Sequence, residues 1–146
     1  MTDFLGFLMA DVSRLIRKRF DERARAIGAT RAQWRTLIVV MRNEGVNQGT
    51  LAELLEVEPI TLCRMIDRLE EAGLVERRRD PADRRAWLIH LTDKAGPVLT
   101  KVKAIADSLF EEVLAGVPEN DRDRLNLTLE RMRENLLAEP NEALHG

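Results

Sequence analysis

The helical spacing of apolar residues that runs through this chain breaks in one place, and that break constrains the fold most. From Leu74 to Arg79 and from Arg85 to Thr92 the pattern turns strand-like, with Trp87, Ile89 and Leu91 alternating along the second segment. Asp80-Pro81-Ala82-Asp83 between them is turn chemistry, because proline fixes φ and an aspartate can bond nearby backbone N–H groups. A lone two-stranded hairpin is marginal in water. This one has to pack on helices, and the sequence supplies them on both sides.

Upstream, Phe4, Leu8, Val12, Leu15, Ile16, Phe20 and Ile27 form a helical stripe that Gly28 closes. Thr30 and Gln33 have capping-box spacing before an apolar run from Trp34 to Met41, stopped by Asn43-Glu44-Gly45. A short third helix follows, with Asn47 as N-cap and Leu51, Leu54 and Leu55 as its apolar face. Val57-Glu58-Pro59 breaks it, and Pro59 suits the first position of a fourth helix that reaches Ala72 and ends at Gly73. After the hairpin, Thr92 caps a long helix to about Ala115, with Pro97 near its start. Gly116-Val117-Pro118 breaks that helix, and a sixth carries Leu125, Leu129, Met132 and Leu136.

This order predicts a mainly α chain with a small β-hairpin wing. It reads as a winged helix-turn-helix over residues 30–92, flanked by long helices at 1–28 and 93–146, in a single domain.

Hydrophobic residues make up 45% of the chain and charged residues 33%, which is too apolar for disorder. No apolar run approaches the ~18 residues of a membrane span, and the first residues lack a secretory pattern. One cysteine and two histidines exclude an internal disulfide framework and a structural zinc site, so a reducing cytoplasm is the expected compartment. The net charge is -2, but it is unevenly distributed. Arg14 to Arg35 is strongly basic, RRRDPADRR (77–85) holds five arginines against two aspartates, and the last forty residues are mostly acidic.

The fourth helix carries the chemistry. On a wheel at about 100° per residue, Leu62, Met65, Ile66 and Leu69 share one arc, while Thr61, Arg64 and Arg68 lie opposite, within roughly 60° of each other. One face packs and the other offers a hydroxyl and two guanidiniums, which is what a recognition helix in a DNA major groove requires. The same arrangement also describes a surface helix whose arginines pair with Asp67 or Glu71. The hairpin shifts the balance, because Arg84 and Arg85 at its tip are placed to reach a minor groove. Asp83 would be repelled by phosphate and makes better sense as a buttress for an arginine side chain. Arg77 and Arg78 on the first strand are candidate phosphate contacts.

With these residues in place, the chain resembles the MarR family of bacterial transcriptional regulators and, within it, the SlyA-like branch. The resemblance runs from about residue 5 to 138 and rests on TLAELLEVEPITLCRMIDRLEEAGLVERR, the wing DPADRRAWLIHLT and the following DKAG. The D-x-R of the wing, Asp83-Arg84-Arg85, is its most telling element. It implies an obligate homodimer whose terminal helices form the dimer body and whose winged helices straddle double-stranded DNA. It implies that Arg85 enters the minor groove, that Asp83 orients a neighbouring arginine, and that Thr61, Arg64 and Arg68 face the major groove.

Peroxide-sensing members carry a cysteine in the first helix, but here the only thiol is Cys63, which reads as a small core residue. His90 and His145 do not make a zinc-sensing ligand set, so no metal or cofactor is expected. Many members bind small aromatic carboxylates. Trp34, Leu37 and Ile38 offer an apolar wall, with Arg14 and Arg17 to neutralise a carboxylate, although Trp34 as plain core is an equal reading. Phe4, Leu8 and Val12 at one end and Leu125, Leu129 and Leu136 at the other have no evident partner within a winged helix, and dimerisation would bury them.

The leading expectation is a dimeric, sequence-specific transcriptional repressor on a palindromic operator, released by a small aromatic ligand. Three rival readings stand beside it. An enzyme lacks any assembled Ser/His/Asp or Cys/His set and any glycine-rich phosphate loop. An RNA-binding winged helix lacks exposed stacking aromatics beyond Trp87. A helical protein–protein adaptor, with the terminal helices as its functional surface, would be rejected by loss of DNA affinity on mutating Arg85.

Overall fold

The computed structural model describes residues 4–138. These form two compact units, one running to Leu109 and one beginning at Phe110, so the division falls inside a helix.

The first unit opens with α1 (Leu5–Ala26) and α2 (Arg31–Arg42). Only the end of the α1 stripe packs within the unit: Phe20 and Ala24 are buried with Ala29, Val102 and Leu109, while Phe4, Leu8, Val12 and Leu15 are exposed. The turn after α1 places Gly28 at φ +81, where a side chain would be strained. The α2 capping box forms as its spacing predicts. Thr30 Oγ1 accepts from the Gln33 N–H at 3.2 Å and Gln33 Oε1 accepts from the Thr30 N–H at 3.1 Å.

Next come β1 (Val46–Asn47), α3 (Gln48–Leu55), α4 (Pro59–Glu71), β2 (Val75–Arg79), β3 (Trp87–Leu91) and α5 (Ala95–Val113). Asn47 caps α3, its Oδ1 accepting from the Thr50 N–H at 2.7 Å. Leu51, Ala52 and Leu55 of α3 are buried, whereas Leu54, expected on the apolar face, points outward. The α3–α4 turn is made by Glu56 in the left-handed region at φ 55. The helix-turn-helix core gathers Leu37, Val40, Leu51, Leu62, Ile66, Leu69, Val75 and Ile89. Each such side chain contributes about 1.5–3 kcal/mol by leaving water.

The sheet has the order β1-β3-β2, with both pairings antiparallel. The strand β1 is an addition to the expected hairpin, since two residues carry no detectable period. β3 starts at Trp87 rather than Arg85 because residues 80–86 are used by the turn. Thr92 does not cap α5, which begins at Ala95; its hydroxyl instead donates to the Gly73 carbonyl and ties the end of β3 to the end of α4.

The second unit holds the end of α5, the turn at Gly116 and α6 (Glu119–Leu137). Arg122 organises it locally by donating to the Val117 and Leu114 carbonyls at 2.9 and 2.7 Å, which satisfies acceptors left open at the end of α5. No α6 residue is buried, and Leu125, Leu129 and Leu136 are exposed. Among the described residues no helix is long and apolar enough to cross a membrane.

Candidate nucleic-acid interface

Burial on α4 follows the wheel: Leu62, Ile66 and Leu69 are buried, Met65 and Cys63 are partly buried, and Thr61, Arg64 and Arg68 are exposed. Pairing of Arg64 and Arg68 with Asp67 is not what forms. Asp67 Oδ1 is taken by Arg77 Nη2 at 2.7 Å. Among the described residues no hydrogen bond or ion pair engages the Arg64 or Arg68 guanidinium. Two fixed positive charges therefore face outward beside a hydroxyl.

Arg77 departs from the sequence expectation. Its side chain is only 12% exposed, which ill suits a phosphate contact. Besides Asp67, its Nη1 reaches Glu70 Oε1 at 3.2 Å, its Nε donates to Gln48 Oε1 at 3.1 Å, and its Nη2 donates to the Cys63 carbonyl at 3.2 Å. Its backbone N–H also donates to Glu70 Oε2 at 3.1 Å. One guanidinium thus joins the wing strand to α3 and α4, using the planar fork that arginine alone presents. The reason is register: Arg77 pairs with Ile89 and follows Val75 by two residues, both buried, so it lies on the inner face of the sheet.

Arg78 lies on the other face and is held by Glu76 across a short ion pair, with Nε donating to Glu76 Oε1 at 2.7 Å. Arg79 stacks its guanidinium 3.9 Å above the centre of the Trp87 ring and donates to the Arg84 carbonyl at 2.8 Å. That contact braces the wing tip. Within the tip, Asp80 Oδ1 accepts from the Ala82 N–H at 2.9 Å. Asp83 is a buttress of another kind than expected: its Oδ1 accepts from the Arg85 backbone N–H at 3.0 Å, rather than from an arginine side chain. It fixes the turn from which Arg84 and Arg85 project, and among the described residues neither guanidinium has a partner.

The residues proposed for a ligand do not form one wall. Leu37 is fully buried in the helix-turn-helix core, and Ile38 packs in the α1–α2–α5 cluster of the same unit. Trp34 lies against Phe20 with ring centroids 4.3 Å apart, and its Nε1 donates to Asp21 Oδ1 at 3.2 Å. Arg14 and Arg17 line a separate open groove with Lys18, Asp21 and Arg31. Asp21, also 3.7 Å from Arg31, is the link between Trp34 and that groove.

Cys63 is half-buried, with its sulfur 3.8 Å from Arg77 Nη2. His90 Nδ1 lies 3.6 Å from Glu44 Oε1, which also accepts from the Leu91 N–H at 3.1 Å. His145 lies outside the described residues. Among the described residues no group of three or more His, Cys, Asp or Glu could hold a metal ion.

Comparison with known proteins agrees with this geometry. A family model described as the MarR family matches residues 27–86, which span α2, the helix-turn-helix and the wing tip. A MarR transcriptional regulator from Methanosarcina mazei Go1 superposes with a TM-score of 0.80 at 28% identity, over 92% of this chain and 97% of that one. The transcriptional regulator PA3341 is 37% identical, with a TM-score of 0.77 over 90% of this chain and 96% of that one. A mutant MarR from E. coli, solved complexed with operator DNA, is 25% identical, with a TM-score of 0.72 over 88% of this chain and 92% of that one. With a shared fold over nine-tenths of its length and a regulator more than one-third identical, the chain belongs to the MarR family of winged-helix transcriptional regulators.

Proposed function

We propose that this chain is a sequence-specific, double-stranded DNA-binding repressor of the SlyA-like branch that acts as a homodimer on a palindromic operator. The observation that carries the reading is the sorting of arginines. Arg77, Arg78 and Arg79 are consumed within the fold, while Arg64, Arg68, Arg84 and Arg85 stand outward from one compact unit with no described partner. Exposed guanidiniums on a helix face and on a hairpin tip match a major groove and the adjacent minor groove. Thr61, Arg64 and Arg68 meet base edges and nearby phosphates, and Arg84 and Arg85 reach the minor groove. Asp83 sets their backbone, and Arg78, a phosphate candidate by charge alone, stays paired with Glu76. The E. coli relative solved with operator DNA supports this use of the fold.

In this reading a second copy covers the exposed stripes. Phe4, Leu8 and Val12 on α1 and Leu125, Leu129 and Leu136 on α6 are exposed apolar side chains that such a contact would remove from water. A two-fold axis would set two recognition helices about 34 Å apart, one turn of DNA. The groove of Arg14, Arg17, Lys18 and Arg31 offers cationic partners to a small aromatic carboxylate, whose binding releases DNA.

Selection of duplexes from a random pool with the purified chain tests the proposal. An enriched inverted repeat with half-sites one turn apart is the expected result. A pool that stays random at moderate salt would overturn it.

A further inference from the structure

We propose that Ile60 is a specificity-determining residue that reads the C5-methyl group of a thymine in the major groove. The inference rests on the DNA-binding reading above and adds a base and a contact to it. Ile60 is the second residue of α4, and Pro59, at the first position, locks the backbone where the helix begins. Its side chain is 66% exposed, although isoleucine is among the residues most often buried. The inward face of the helix is already filled by Leu62, Ile66 and Leu69. At about 100° per residue, Ile60 lies roughly 40° from Arg64 and one turn before it, on the outward face.

That position has a physical meaning. The N-terminal residues of a recognition helix are the ones that approach base edges. Thymine alone among the four bases presents a methyl group in the major groove, and it is read by apolar contact. A β-branched side chain in a helix is held close to one χ1 rotamer, so Ile60 offers its methyl groups with little entropy left to lose. The unpartnered guanidiniums of Arg64 and Arg68 on the same face commit the occupant to a polyanion, and one exposed isoleucine is too small a patch to anchor a protein partner.

The axial separation of Ile60 and Arg64 is about 6 Å, close to two base-pair steps. The thymine therefore lies within about two base pairs of the base that Arg64 reads.

The experiment uses the full chain and its selected operator. Each thymine is replaced in turn by deoxyuridine, symmetrically in both half-sites, which deletes one methyl group and leaves base pairing intact. For the native chain, affinity should fall about three- to fivefold per half-site at one thymine and change little at the others. In Ile60→Ala the penalty at that position should vanish, whereas Ile60→Val should retain part of it. Circular dichroism and urea unfolding establish that both variants are folded. The inference is overturned if the deoxyuridine series is silent for the native chain, or if Ile60→Ala keeps the same discrimination. A pool in which no sequence is enriched overturns the DNA-binding reading and this inference together, while an enriched operator with a silent series overturns this inference alone.

Discussion

Replacing Arg77 with methionine separates the structural reading of the wing from the reading that charge alone suggests. Methionine keeps most of the side-chain volume and removes four polar contacts: Asp67 at 2.7 Å, Glu70 at 3.2 Å, the Gln48 side-chain oxygen at 3.1 Å and the Cys63 carbonyl at 3.2 Å. The cost lies between two limits. An exposed ion pair is worth about 0–1 kcal/mol, and breaking a fully buried one costs about 3–5 kcal/mol. Here the guanidinium is nearly buried, but Asp67 and Glu70 are about half exposed and can return to water once it is gone. The Cys63 carbonyl and the half-buried Gln48 amide are left less well satisfied. We therefore expect a loss of about 2–3 kcal/mol in urea unfolding at fixed protein concentration. Arg77→Lys should restore little, because one ammonium cannot serve four acceptors around a plane. Operator affinity should fall, since the wing and recognition helix are no longer held in register, but the slope of affinity against salt should not change. A phosphate contact predicts the reverse, namely stability within about 0.5 kcal/mol of the native chain and a slope reduced by about one ion. That outcome would refute the assignment of Arg77 as an internal clamp.

Gly73→Ala should cost about 1–2 kcal/mol in the same unfolding assay, because Gly73 has φ +77 and a new Cβ would sit 3.2 Å from Lys94 Cδ. Arg64→Ala should lose about 1–3 kcal/mol on the selected operator and relax preference at particular base pairs. An equal loss on random DNA would mean that Arg64 reads no base. In a Trp87→Phe background, a benzoate that enters the arginine groove should change Trp34 emission through Asp21 and weaken operator binding about 5–150-fold. No change in either signal across a panel of benzoates would remove the groove as a regulatory site.

Most of the fold was legible because its signals are local. The capping box at Thr30, the Asn47 cap and the stop at Gly73 are backbone chemistry written in adjacent residues, and each forms where its spacing points. The β1 strand was not legible, since two residues that pair across forty positions with Ile89 and Leu88 leave no period. The role of Arg77 is hidden for a different reason. Composition makes RRR look uniform, but a strand has a period of two. With Val75 inward, Arg77 and Arg79 had to share its face and Arg78 the other. That alternation was present in the sequence and would have marked Arg77 as a side chain in need of internal acceptors. Asp67 and Glu70, one helical turn apart on the neighbouring helix, are those acceptors. The Trp34 wall failed because a stripe on one helix does not say which neighbour it meets. Here Leu37 turns to the helix-turn-helix core, and Trp34 turns to Phe20 and Asp21.

The sorting of charges also explains how a chain of net charge -2 can serve a polyanion. Net charge is a sum over the whole surface, but association depends on the field at the contact, which is screened beyond about 8–10 Å at physiological salt. Asp67, Glu70 and Glu76 lie close to the proposed interface and would weaken that field if left bare. Asp67 and Glu70 are instead paired with Arg77, and Glu76 with Arg78, so that two of the three negative charges are offset. The arginines of the outward face are then left without local compensation. On this argument Arg77 contributes to DNA affinity twice, by holding the wing and by offsetting one of the two carboxylate charges beside the recognition surface. Neutralising those carboxylates by mutation should therefore rescue part of the DNA affinity lost in Arg77→Met without rescuing its stability. Asp67→Asn with Glu70→Gln in that background is the variant that separates the two contributions. If affinity and stability instead stay low together, the clamp alone accounts for the effect of Arg77.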